Sequence, residues 1–277
     1  RDSFVGTVEI SKHFAFLFTD SKKMPYDLFI PLDKLKGAKN GQKAIAKVIE
    51  WPEGIKNPVA EIIEVLGDPG NNDVEMHSIL AEFDLPFRFK PEVLKEAENI
   101  NDSISEKEYA SRKDFRGIPT FTIDPEDAKD FDDALSFRKL DNGNSEVGVH
   151  IADISHYIKP KSILDAEAYE RATSVYLVDR TVPMFPERIS NNICSLNPDS
   201  DKLCFSAVFE INEDAEILQE WFGETVIRSQ RRFNYIEAQD IITGKSDEMK
   251  QEIISLHNLA QILKKRRSEQ GSMVLTV

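Results

Sequence analysis

Six acidic side chains fall within ten residues of one stretch: Asp124, Glu126, Asp127, Asp130, Asp132 and Asp133, against a single base, Lys129. Like charges this close repel unless a cation sits among them, and carboxylate oxygens are the ligands a hard divalent ion takes. Carboxylates converging on one point can hold magnesium while leaving waters on the metal, an arrangement used where phosphates are cleaved. Phe121, Ile123, Phe131, Ala134, Leu135 and Phe137 lie before, within and after the acids, which argues against a disordered acidic tail. On an extended backbone Asp130 and Asp132 face one way and Asp133 the other, so the segment must bend if all serve one site. An EF-hand is excluded: counted from Asp124, the glycine position holds Lys129 and the closing glutamate position holds Leu135. Composition alone leaves a solvated acidic loop open as the alternative.

Other residues with chemical potential are more ambiguous. His150 and His156 flank Asp153 at a spacing that superficially suggests metal ligation, but a histidine in a buried strand is more often a hydrogen-bonded core residue. By composition Tyr176 reads as a core tyrosine, and Arg180, four residues on, suits either a phosphate or a carboxylate. Arg228, Arg231, Arg232 and the run from Lys264 to Arg267 could line an anionic path or simply be solvated faces. Cys194 and Cys204 are too few for a disulfide framework or a thiolate zinc site, which points to a reducing cytoplasm and to small core residues.

The elements that must position these groups divide the 277-residue chain into two domains and a connector. Residues 4 to 66 alternate in five β-type runs, Phe4 to Ile10, Phe14 to Phe18, Asp27 to Ile30, Ala44 to Ile49 and Val59 to Leu66, with turn-rich breaks between them. Five short strands predict a small closed OB-type barrel over 1–68. Phe14, Phe16 and Phe18 share one face of the second strand, suited either to the core or to stacking on single-stranded nucleic acid. Residues 69–116 read as a helical connector. Met76, Ile79, Leu80 and Phe83 mark one stripe, Pro91 opens a second helix, and Ser105 to Glu108 reads as a capping box for a third. From 117 to 277 the pattern is mixed α and β, so the fold class is α+β. Val147 to Ile154, Leu203 to Ile211 and Trp221 to Arg228 read as strands, and Asp165 to Ala172 as a helix. Asn234 to Glu237 reads as a helix cap, followed by a helical stripe through Met249, Ile253, Leu256, Leu259 and Leu263.

The formal charge of −14 argues against a nucleic-acid partner until it is partitioned. The balance is 0 over 1–69, −4 over 70–117 and −10 over 118–277, and half of that last deficit is the acidic cluster with its lysine. No apolar run approaches the roughly 20 residues of a membrane helix, so no membrane partner is expected. The start at Arg1 and the apolar end from Met273 to Val277 suggest a piece of a longer protein.

Six colinear blocks carry a resemblance: Ile118 to Asp124, Asp127 to Ala134, Val149 to Ile158, Arg171 to Tyr176, Asp179 to Glu187, and Leu196-Asn-Pro. In them the chain resembles the RNB family of exoribonucleases, and Gly6-Thr-Val, Phe14 to Phe18 and Asp27 to Pro31 resemble cold-shock-type OB domains. The resemblance implies processive 3′-to-5′ hydrolysis of single-stranded RNA to nucleoside 5′-monophosphates, with Mg2+ as cofactor, by a monomer. It maps four ordered aspartates onto Asp124, Asp130, Asp132 and Asp133 as metal site, leaving Glu126 and Asp127 out. Asp132 and Asp130 become catalytic, and Tyr176 becomes the aromatic beside the terminal nucleotide. Arg180, Phe14 and Phe16 become RNA contacts. The family site also uses an arginine and further polar groups that would follow Val277, so this chain alone is expected to be inactive or nearly so. The competing expectations are a non-catalytic single-stranded RNA-binding module and a calcium-dependent interaction domain.

Overall fold

The computed structural model describes residues 2–22 and 24–273. Strands β1 (Ser3–Ile10), β2 (Ala15–Thr19), β3 (Leu28–Ile30), β4 (Lys43–Glu50) and β5 (Val59–Gly67) close into a barrel in the order β1-β2-β3-β5-β4. Period-two alternation sends Val8, Ala15, Leu17, Leu28, Ile30, Ala44, Ala46, Ala60 and Ile62 inward. Gly6 pairs with both Thr19 and Ala44, where any Cβ would run into the Phe18 carbonyl, so only glycine lets β2 close on β1. The expected five strands are all present, with ends shifted by a residue or so.

Helix α1 (Asn72–Glu82) begins at Asn71, whose side chain accepts from the Asp73 amide. Its buried face is Val74, Ser78 and Leu80, rotated from the expected stripe, and Ile79 and Phe83 are exposed. The phase was missed because a serine faces inward: the Ser78 hydroxyl donates to the Val74 carbonyl at 2.7 Å and needs no other partner. Helix α2 (Pro91–Glu98) starts on its proline. Helix α3 (Glu106–Ser111) is capped by the Ser105 hydroxyl, but the return bond of a capping box is replaced by an ion pair, Glu108 with Arg112 Nε at 3.2 Å.

Contacts divide the chain into two units. One holds residues up to Lys90 together with Tyr176–Val182, so α1 groups with the barrel; the other holds Pro91–Val175 and Pro183–Val277. After α3 follow β6 (Lys113–Asp114), β7 (Thr120–Asp124), β8 (Asp133–Lys139), β9 (Ser145–Ala152), α4 (Ile154–Tyr157) and α5 (Ile163–Arg171). A two-stranded pair, β10 (Val175–Tyr176) and β11 (Thr181–Val182), precedes a π-helical turn over Arg188–Ile193. Then come β12 (Asp201–Ile211), β13 (Ile217–Arg228), β14 (Arg231–Asn234), α6 (Tyr235–Ile242) and α7 (Lys250–Glu269).

Seven of these strands form one sheet in the order β14-β7-β8-β9-β12-β13-β6, antiparallel except for the two outermost pairs. One apolar cluster gathers Phe115, Phe131, Ala134, Leu196, Cys204, Val208 and Ile227. Two more lie against α6 and α7: Phe137, Val147 and Ile211 with Leu259, and Phe121 and Phe233 with Ile241 and Ile253. The expected Asn234 to Glu237 capping box is complete, with both bonds at 2.8 Å. The architecture is thus α+β, and among the described residues no helix is long and apolar enough to cross a membrane. Val274 to Val277, most of the apolar terminal run, lie outside the described residues.

Candidate active site

The acidic stretch is the bend its side-chain pattern requires. The β7–β8 ladder ends at the Phe121–Leu135 pair, the strands part, and residues 125–132 form the loop between them. Asp124 closes β7, Asp133 opens β8, and Asp130 and Asp132 ride the loop. Phe131, 5% exposed, and Ala134 anchor it in the cluster with Phe115, Leu196 and Cys204, as the flanking apolar residues predicted.

Main-chain hydrogen bonds then fix the loop from three directions. The Ser195 hydroxyl donates to the Lys129 carbonyl and accepts from the Phe131 amide, both at 3.0 Å, and the Leu196 amide donates to the Phe131 carbonyl at 2.8 Å. The Ala152 amide, at the end of β9, donates to the Asp132 carbonyl at 2.9 Å. Arg232 on β14 donates through Nη2 to the carbonyls of Pro125 (2.8 Å) and Glu126 (2.6 Å), and its guanidinium lies 5.0 Å from the Phe131 ring centre.

Electrostatics single out two of the four aspartates. Desolvation pushes the Asp132 carboxyl up to about 6, and the charges of Asp130, Asp133 and Asp124 add to the shift. Asp132 is nonetheless an exposed residue, so solvent and salt screen much of both effects and leave the direction upward. Burial likewise raises Asp124, the neighbouring Thr122 hydroxyl and the Arg232 cation oppose the shift, and the carboxylates of Asp133 and Asp130 reinforce it. Asp124 Oδ2 is buried without a hydrogen-bond partner, an acceptor left for something cationic or protic. Glu126 and Asp127 are exposed, as are Asp132 and Asp133, so exposure alone does not set the four aspartates apart.

Among the described residues no three acidic, histidine or cysteine side chains form a ready-made metal cage. The donor chemistry nevertheless fits magnesium, which keeps several waters and is usually held by one or two carboxylates together with substrate phosphates. All-oxygen donors, mutual repulsion and the unpartnered Asp124 oxygen are the features such an ion would satisfy.

The remaining expected residues fall in the barrel unit. Tyr176 is 68% exposed rather than a core tyrosine. Arg180 ion-pairs with Asp73 at 2.7 Å and Asp179 at 2.8 Å, while Asp179 accepts from Asn72 at 2.5 Å, tying this segment to the start of α1. On β2, Ala15 and Leu17 fill the core, which turns Phe14 and Phe18 outward and leaves Phe16 half-buried. Phe14, Phe16 and Phe29 of β3 contact one another at centroid distances of 5.6 to 6.3 Å, making an aromatic surface on the barrel.

His150 is fully buried between the Ser206 hydroxyl at 2.7 Å and the Ser136 hydroxyl at 2.8 Å, and burial lowers its pKa to about 4. Asp153 pairs with Arg112 at 2.7 Å and caps α4 through the His156 amide. The histidine segment is therefore structural. Arg228 pairs with Asp201 and Arg231 with Glu237 and Glu248, while Arg266 bonds the carbonyls of Asp214 and Ala215. Sequence reasoning passed over Ser195, and it read Arg232 only as a residue of an anionic path or a solvated face, where the structure makes it a clamp on the acidic loop. It also passed over Tyr235, an exposed aromatic directly after Asn234, the β14 partner of Asp124. An arginine pair just before a capping box was the available signal for Arg232, whereas Ser195 carried none.

Comparisons with known proteins bear on the fold and the lineage of the chain. Residues 112–277 match the RNB domain and residues 16–90 the cold shock domain. Ribonuclease R of Thermotoga maritima is 39% identical over 277 residues, covering 98% of this chain and 39% of that protein, so the chain spans about two fifths of this relative's length. In structure, Mycoplasma genitalium RNase R in complex with ribose-methylated single-stranded RNA superposes with a TM-score of 0.92 at 22% identity, over 100% of this chain and 45% of that one. Yeast Ssd1, described as a pseudonuclease, superposes with a TM-score of 0.76 at 21% identity, over 96% of this chain and 34% of that one. At such identities the superpositions speak for the fold, and the sequence matches speak for the lineage. The chain belongs to the RNB family.

Proposed function

We propose that the protein carrying this chain is a magnesium-dependent, processive 3′-to-5′ exoribonuclease that hydrolyses single-stranded RNA to nucleoside 5′-monophosphates. The observation that carries the reading is the acidic loop: the pKa of the Asp132 carboxyl is raised by desolvation and by the charges of Asp130, Asp133 and Asp124, on a loop whose backbone is tied down on both sides. Such an arrangement costs stability unless a cation and a phosphate complete it. The kinship with ribonuclease R of Thermotoga maritima supports the same chemistry, and the RNA bound by the Mycoplasma genitalium enzyme supports the same partner.

In this reading Asp124, Asp130, Asp132 and Asp133 hold the ion, with Asp132 the most sensitive to loss. Magnesium, when bound, would supply Lewis-acid polarisation of the scissile phosphate and a water acidified for attack. The chain's own groups do the rest. The pinned loop keeps the carboxylates in place before substrate arrives, and the exposed Tyr176 offers an aromatic ring on which a base of the RNA stacks. Phe14, Phe16 and Phe29 offer a sequence-tolerant platform for upstream bases. Arg180 acts through its ion pairs, holding the Tyr176 segment. Because the chain spans about two fifths of the length of its Thermotoga maritima relative, the reading expects the chain alone to be inactive or nearly so.

A second reading, a non-catalytic single-stranded RNA-binding module, uses the same fold, which yeast Ssd1, described as a pseudonuclease, shares. Replacing Asp132 with Asn in the longer protein separates the two. The nuclease reading expects RNA binding retained and hydrolysis lost, whereas a module that never hydrolysed RNA gives no difference between the two proteins. A calcium-dependent interaction domain would bind calcium tightly and show no RNA retention in filter binding.

A further inference from the structure

The four aspartates belong to the reading above, but the group that sets the backbone between them does not. Ser195 is fully buried and spends its hydroxyl on the acidic loop alone: its proton goes to the Lys129 carbonyl and a lone pair receives the Phe131 N–H, both at 3.0 Å. The two bonds straddle Asp130 and end one residue short of Asp132. Ser195 is delivered there by the π-helical turn Arg188–Ile193, and such turns, with their extra residue, recur at functional sites. The turn is itself braced. Arg188 donates to the carbonyls of Ala97 (3.1 Å) and Ile100 (3.0 Å), and Lys202 donates to those of Asn192 (2.5 Å) and Ile193 (3.2 Å).

We infer that Ser195 is a positioning residue of this site: its hydroxyl fixes the main chain on both sides of Asp130, and thereby the spacing of the carboxylates that must share one cation. Without it the buried Phe131 amide and the partly buried Lys129 carbonyl lose their partner, and the main chain on both sides of Asp130 is free to shift. The Ala152 and Arg232 bonds remain, so the loop shifts rather than unfolds. The effect on turnover rests on the nuclease reading; the effect on the loop does not.

The test uses Ser195→Ala in the longer protein, with Ser195→Thr, which keeps the hydroxyl, as the rescue. With magnesium and single-stranded RNA, Ser195→Ala should lower kcat by about thirtyfold while KM and RNA affinity stay within about twofold, and half-saturating magnesium should rise several-fold. Hydrogen exchange at the Phe131 amide should accelerate by at least about tenfold, with the amides of Phe121 and Phe233 unchanged. Ser195→Thr should recover most of the kcat. Unchanged Phe131 protection, a kcat within about twofold of wild type, or equal loosening across the whole sheet would each overturn the inference. Absence of mononucleotide release by the wild-type protein would instead defeat the nuclease reading, and Phe131 exchange together with magnesium affinity from calorimetry would then decide the role of Ser195.

Discussion

Acidification should loosen the platform beneath the acidic loop through one residue, His150. Its ring links Ser136 on β8 to Ser206 on β12, and Ser206 meets Thr225 on β13 at 2.6 Å, so a buried polar line crosses four neighbouring strands. β8 carries Asp133, and the end of β9 holds the Asp132 carbonyl. Burial lowers the folded-state pKa of His150 from 6.5 to about 4, so between those values the unfolded chain binds the proton and the folded chain does not. The stabilisation is therefore complete above about pH 6.5 and disappears as pH falls towards about 4. Full loss is worth about 3 kcal/mol, of which about 2 kcal/mol is gone by pH 5. Urea unfolding of the wild type and of His150→Gln at pH 7.5 and 5 measures it, because the carboxylate background is common to both proteins and cancels. The wild type should lose about 2 kcal/mol more than the variant over that interval. Equal losses would refute the assignment of His150 as a neutral buried link.

Two further outcomes follow from the geometry. Phe14→Ala with Phe16→Ala should weaken single-stranded RNA binding by about thirtyfold or more in filter binding, since stacking is worth about 1–3 kcal/mol per base; Ala15 and Leu17 carry the barrel core, so the variant should still fold. Arg112→Met should destabilise the second unit by about 3 kcal/mol in urea melts, because it strands the buried Asp153 carboxylate that Arg112 meets at 2.7 Å.

What the sequence exposed and what it hid follow a physical division. The barrel strands were legible because inward and outward residues alternate and turn residues separate them, as Ala15 and Leu17 against Phe16 and Phe18 illustrate. The phase of α1 was not, because Ser78 satisfies its hydroxyl within its own helix and so can face inward. Strand β14 was invisible because its parallel pairing with β7 joins residues more than a hundred positions apart and leaves no local signature. The acids declared themselves by density and their bend by alternation, whereas choosing four of the six needed the family resemblance. The hydroxyl of Ser195 and the guanidinium of Arg232 bond only to main-chain carbonyls and amides of the loop, contacts that no spacing of side-chain types encodes.

The central claim, a carboxylate-held nuclease centre built around Asp132, is tested most directly by following 3′-labelled single-stranded RNA in the longer protein with magnesium, wild type beside Asp132→Asn. The account predicts that the wild type releases the 3′ label as nucleoside 5′-monophosphate, and that the variant releases none although it still binds the RNA. Equal release by both proteins, or cleavage at internal positions, would contradict it.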